Sequence, residues 1–155
     1  MRLRFLIVGR DRHDPLVVAA EEYRERLGHY FPTELVEVKE TPLKNAPVER
    51  VKQEEAQRLR DALQDGDHLI LLDERGKEHS SVELAERLRR AQGDGLRSLA
   101  FAIGGPSGLD PQFLKEAKER WSLSRLTLPH RFARLLLTEQ LYRAGTILRG
   151  EPYHK

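Results

Sequence analysis

Among the uninterrupted apolar stretches of this chain, three read as strands: Phe5-Leu-Ile-Val8, Leu69-Ile-Leu-Leu72 and Leu99-Ala-Phe-Ala-Ile103. A strand with one wet face alternates polar and apolar residues, so a run with no polar member must be covered on both faces. A parallel sheet between two layers of helix supplies that cover, and helical patterns fill the intervals. Leu3 to Val8 reads as the first strand, closed by Gly9. Asp14 and Pro15 then provide a cap and a first-turn proline for a helix with Leu16, Ala20, Tyr23 and Leu27 on one face. Leu35 to Val38 is a short second strand. Thr41 to Pro47, with two prolines and Asn45, is a loop feeding a charged helix that directs Val48, Val51, Leu59 and Leu63 inward and ends near Gly66. His68 to Leu72 is the third strand, with Asp73 to Lys77 as its exit loop.

Ser80 and Glu83 form a capping box for a helix whose Leu84, Leu88 and Ala91 face the core, and Gly93 to Gly95 stop it. Leu99 to Ile103 is the fourth strand, broken by Gly104-Gly-Pro-Ser-Gly108. Asp110-Pro111 opens a short helix, Trp121 to Ser124 is briefly extended, and the last helix runs from His130 to Leu148. This alternation predicts an α/β fold with a mainly parallel sheet flanked by helices. A length of 155 residues suits one domain, residues 1–155.

The last helix is apolar over more than one face: Phe132, Leu135, Leu136, Leu137, Leu141, Tyr142, Ala144, Ile147 and Leu148 exceed what packing on a single sheet requires. A second copy of the chain is the economical cover, so a homodimer is expected. Charge is uneven. Residues 112–155 carry 9 Lys and Arg against 4 Asp and Glu, a balance of +5, whereas residues 1–111 are net negative. Such an excess suits a polyanion, and equally an ordinary solvated helix face. Cysteine is absent, no apolar run approaches a bilayer span, and Met1-Arg2-Leu3-Arg4 enters a strand pattern directly. A cytoplasmic protein without disulfides or membrane anchor is expected.

The glycine-rich turn at Gly104 to Gly108 stands where open α/β sheets bind ligands. Its spacing matches neither the dinucleotide fingerprint nor a phosphate-binding loop, and a plain tight turn would use glycines too. The six histidines lack metal-site spacing, so no metal is expected, and Pro106-Ser107-Gly108 is not a nucleophile elbow.

Read together, Ala102-Ile-Gly-Gly-Pro-Ser-Gly-Leu109, Trp121-Ser-Leu-Ser-Arg-Leu-Thr-Leu-Pro-His130, Leu141-Tyr-Arg-Ala144 and the ending Pro152-Tyr-His154 resemble the ribosomal RNA large subunit methyltransferase H family of the SPOUT class. Leu6 to Gly9 and Leu71-Leu72-Asp73 extend the resemblance across the whole chain. It implies S-adenosyl-L-methionine-dependent methylation of N3 of a pseudouridine in large-subunit (23S) ribosomal RNA, by a homodimer with a C-terminal trefoil knot. Patterning alone predicts no knot.

Carried over by residue, the resemblance implies that Leu72, Gly104, Gly105, Leu123, Ser124, Arg125, Leu126, Thr127 and Leu128 line the cofactor. Leucines suit a flat adenine slot and glycines admit close backbone approach. Arg125 contributes through its backbone. At the other end, His154 is the base or orienting group, Tyr153 stacks on or hydrogen-bonds the nucleobase, and Arg143 holds phosphate or ring charge. The chain stops at Lys155, where the family's ending carries Arg and an acidic residue. Without the resemblance the tail reads as a frayed terminus. Two other readings compete: a non-catalytic ribosome- or RNA-binding protein with the same basic face, and a generic nucleotide-binding α/β enzyme.

Overall fold

The computed structural model of the chain describes residues 1–44 and 46–155; Asn45, assigned to a loop from sequence, lies outside the described residues. The elements follow in the order β1 (Arg2–Val8), α1 (Pro15–Leu27), β2 (Thr33–Val38), α2 (Val48–Asp61), β3 (Asp67–Glu78), α3 (Ser81–Gly93), β4 (Ser98–Ile103), α4 (Pro111–Glu116), β5 (Glu119–Ser122) and α5 (His130–Leu148). The strands form one sheet in the order β2-β1-β4-β3-β5, with every pair parallel. β4 is inserted between β1 and β3, so chain direction across the sheet reverses there. Such reversals open a crevice at the carboxyl ends of the strands.

The uninterrupted apolar runs are explained by two cores, one on each face. Phe5 and Ile7 of β1 point to the side covered by α1, α3 and α5, where Phe101, Trp121, Leu88, Leu137 and Leu141 are buried. Leu6 and Val8 point to the side covered by α2 and α4, meeting Leu59, Leu71 and Phe113. Phe101 and Trp121 pack edge to face with ring centroids 5.4 Å apart. The helix starts follow local chemistry. Asp14 accepts from the Leu16 amide at 2.8 Å and Asp110 from the Phe113 amide at 3.0 Å, while Ser80 and Glu83 close the capping box. Among the described residues no helix is long and apolar enough to cross a membrane.

The structure corrects several sequence expectations. Asp73 to Lys77 is not an exit loop: β3 continues to Glu78, and its register against β5 shifts between Leu72 and Lys77, both of which pair with Trp121. This bulge leaves the strand polar and glycine-containing, hence its loop-like sequence. Val48 is not a core residue but an exposed one at the first turn of α2, whereas Val51 and Leu59 are buried as expected, together with Ala56. That helix ends at Asp61, short of Gly66, and the edge strands are β2 from Thr33 and β5 from Glu119.

Arg4, legible only as a strand residue, is 1% exposed at the amino end of the sheet. It pairs with Asp67, donates to Glu34 at 3.1 Å and to the Ala62 carbonyl at 3.0 Å. A charge so buried is tolerable because its donors are met.

Candidate active site

A cleft of about 930 Å³ opens at the carboxyl ends of β3 and β4. One wall is the turn after β4, where the Gly108 amide donates to the Gly105 carbonyl at 3.0 Å. Its first two glycines sit where a side chain would be crowded. A Cβ on Gly104 would stand 3.0 Å from Leu109 Cδ2 and 3.2 Å from the Gly108 carbonyl carbon; one on Gly105 would stand 3.0 Å from Val8 Cγ1 and 3.1 Å from Glu55 Oε1. Glu55 is a buried buttress behind that turn. Its Oε2 accepts from the Thr41 amide at 2.9 Å, and burial pushes its carboxyl above the usual carboxylate range.

The opposite wall is the connection between β5 and α5. Ser122 donates its hydroxyl to the Ser124 carbonyl at 2.8 Å, the Leu126 amide donates to Ser124 Oγ at 3.0 Å, and Thr127 donates to Glu74 at 2.8 Å. These bonds hang the segment on the bulged part of β3. They leave Leu126 73% exposed and Leu123 and Leu128 half-buried at the cleft as an apolar lining. Leu72, Gly104, Gly105, Leu123, Ser124, Leu126, Thr127 and Leu128 all line the cleft. Arg125 does not: its side chain is almost fully exposed and its guanidinium lies 3.4 Å from Glu78.

Arg143, Tyr153 and His154 come together, but in a separate cluster outside the cleft lining. Arg143 Nε and a terminal nitrogen donate to Glu139 at 3.1 and 2.6 Å, and its guanidinium covers the Tyr153 ring at 4.7 Å. The Tyr153 hydroxyl donates to the same Glu139 oxygen at 3.0 Å, and His154 Nδ1 lies 3.4 Å from Arg143. Burial, then hydrogen bonding with Tyr23 and Glu139, pushes the Tyr153 phenol above its ordinary range. Helix α5 is 19 residues long, and His130 at its start lines the cleft. Arg143 therefore lies about 20 Å farther along the helix axis.

Charged residues of the cleft lining that the sequence alone does not assign to the site include Lys52, Asp73, Glu74, Arg75 and Arg131. Lys52 looked like any cation on a solvated helix face, and Asp73 was assigned to a loop. His130 carried one usable signal, its place immediately after Pro129 at a helix start.

The chain matches, over residues 1–154, the family described as "Predicted SPOUT methyltransferase". It is 53% identical to the ribosomal RNA large subunit methyltransferase H of Anaeromyxobacter sp. (strain Fw109-5) over 155 residues, the whole of both chains. Identity to the protein of the same name from Gemmatimonas aurantiaca is 43%, again over 155 residues and both chains in full. Among solved structures, a probable methyltransferase from Bordetella pertussis Tohama I shares the fold, with a TM-score of 0.61 at 20% identity, covering 93% of this chain and 94% of that one. With the glycine turn and the leucine-lined wall facing each other across one cleft, the chain belongs to the SPOUT methyltransferase family, in the group of the ribosomal RNA large subunit methyltransferases H.

Proposed function

We propose that the chain transfers a methyl group from S-adenosyl-L-methionine to N3 of a pseudouridine in large-subunit (23S) ribosomal RNA, working in the cytoplasm as a homodimer. The observation that carries this reading is the leucine-lined cleft facing Gly104 and Gly105, in a chain that matches its relatives over their full length. S-adenosylmethionine supplies a methyl group already activated by a positively charged sulfur. The volume of about 930 Å³ lies toward the upper end of ligand pockets. Leu123, Leu126 and Leu128 offer an apolar slot for adenine, and the peptide groups of 123–128, Arg125 included, offer hydrogen-bond partners. Leu72 closes the slot beside β3. Gly104 and Gly105, where a Cβ would be crowded, bring bare backbone to the ribose and methionine portions. Ser124 and Thr127 act by shaping the wall, since their hydroxyls are already engaged by Leu126 and Glu74.

The RNA side falls to the tail. Arg143 holds phosphate or the negative charge developing on the uracil ring, Tyr153 stacks on or hydrogen-bonds the base, and His154 orients it. The +5 balance of residues 112–155 favours the approach of RNA. Because Arg143 is about 20 Å along α5 from its own cleft, the tail of one copy serves the cleft of another. Phe132, exposed on α5, and Val18, exposed on α1, are apolar surface that a partner would cover. Light scattering is expected to report a dimer at micromolar concentration; a species of 17.9 kDa alone would refute it. The knot is part of the same reading. It rests on the match to the SPOUT methyltransferase family.

Calorimetric titration with S-adenosylmethionine tests the cleft. Saturable binding is expected, abolished by Gly104→Val, whose side chain would drive into Leu109 and the Gly108 backbone. No heat from the wild-type chain would overturn the methyl-donor reading and favour a ribosome-binding protein without catalysis.

A further inference from the structure

We propose that His130 touches the nucleobase that receives the methyl group and takes the proton from its accepting nitrogen, an assignment that rests on the reading of the cleft as a methyl-donor site. His130 begins α5, and its ring stands in the wall between two cavities. One is the large cleft. The other, about 60 Å³, is formed by the end of β1, Glu40 and the first turn of α5. A base stacked at the inner edge of the cleft would present its edge to this imidazole.

The ring is placed but unspent. Nε2 lies 3.9 Å from the point where a Cβ on Gly9 would stand, and Glu40 Oε2 lies 3.6 Å from that same point. Imidazole and carboxylate thus flank the bare backbone of Gly9, whose φ of 103° suits glycine. Among the described residues neither ring nitrogen has a hydrogen-bond partner, whereas the neighbouring charges are occupied: Arg131 by Asp11 and Asp14, and Arg134 by Glu37 at 3.0 Å.

The charge state follows from the surroundings. Burial, and next the guanidinium of Arg131, hold the His130 imidazole below the ordinary histidine range; Glu40, Asp11 and Asp14 pull the other way without overcoming them. At neutral pH the ring is uncharged and keeps a lone pair. His154, by contrast, is exposed at the chain end with Nδ1 turned toward Arg143, which suits it to hold RNA.

The step balances as follows. The N3–H proton passes to the free imidazole nitrogen, and the N3 electron pair forms the new bond to the methyl carbon. The carbon–sulfur bond breaks with its pair staying on sulfur, leaving a neutral thioether. His130, now imidazolium, returns the proton to water.

His130→Ala and His130→Gln test this in the full-length dimer. Both variants should bind S-adenosylmethionine in calorimetric titration as the wild type does. Both should lose about 10² to 10⁴-fold in single-turnover methyl transfer to large ribosomal subunits, the span of general base catalysis. Added imidazole should restore part of the His130→Ala rate. In the wild-type chain, ring NMR should show His130 titrating below about 6.5, with the rate rising through that same pH and then flattening. Retention of rate within about tenfold by either variant, an unchanged pH profile, or a loss matched by lost donor affinity would overturn the assignment while leaving the cleft intact. Failure of the wild-type chain to bind donor would instead remove the site reading and this one with it.

Discussion

Exchange of Arg143 for alanine is expected to lower methyl transfer by about 10² to 10³-fold while leaving S-adenosylmethionine binding unchanged. Arg143 organises the tail: it holds Glu139 through two donors, covers the Tyr153 ring and reaches His154. Its removal leaves the partly buried Glu139 carboxylate with only the neutral donors Tyr153 and Gln140 and frees the last residues. None of these groups lines the cleft, so donor affinity has no reason to change. The same geometry predicts complementation. Gly104→Val has a working tail and a blocked cleft, and Arg143→Ala the reverse, so each is inactive alone. Mixed and allowed to exchange subunits, they should regain activity, because a heterodimer assembles one complete site. A mixture as inactive as its components would show that tail and cleft act within one chain.

Gly76→Ala is expected to destabilise the fold by about 3 kcal/mol, at the severe end of overpacking. Its Cβ would stand 2.7 Å from both the carbonyl carbon and oxygen of Arg120 and 2.8 Å from the Trp121 carbonyl carbon. These are backbone atoms of β5, which cannot rotate away as a side chain could. Relief requires separating β5 from the bulged half of β3, and that bulge also anchors Thr127 through Glu74. Loss of stability should therefore come with weaker donor binding. Urea denaturation followed by far-ultraviolet circular dichroism measures the first and calorimetry the second. Gly93→Ala, where nothing lies within 4 Å of the new Cβ, is the control and should leave both unchanged. An unaltered denaturation midpoint for Gly76→Ala would mean that β3 and β5 pack less tightly at the bulge than described.

The contrast between Gly76 and the strand cores shows what was readable in the sequence. β1 and β4 were legible because burial on both faces leaves no polar residue in the run, a property of the strand itself. The starts of α1, α3 and α4 were legible because Asp14, Ser80 and Asp110 satisfy amides two or three residues away. The second half of β3 was not, because its strand character comes from β5, more than 40 residues later, and its own residues are polar. Arg4 was opaque for the same reason: Glu34, Ala62 and Asp67 reach it only through the folded sheet.

The candidate site divides likewise. Gly104, Gly105 and the 123–128 segment were found through ordered motifs, and the fold brings them to one cleft. The grouping of Arg143 with Tyr153 and His154 was expected from resemblance. Its distance from the cleft was not, although it follows from the rise of α5 once His130 is placed. His130 was legible as the end of the Trp121 to His130 motif but carried no chemical role there, because a lone histidine at a helix start has no spacing to betray one; the two cavities it lines single it out.

Mass mapping of ribosomal RNA tests the account at its centre. Large subunits or whole ribosomes lacking the modification are incubated with the chain and isotope-labelled S-adenosylmethionine, and the RNA is digested and sequenced by mass. A gain of one labelled methyl group on N3 of a single pseudouridine in a hairpin of 23S ribosomal RNA is expected, lost with Gly104→Val. RNA that remains unlabelled, or that carries the label on another atom or nucleotide, would contradict it.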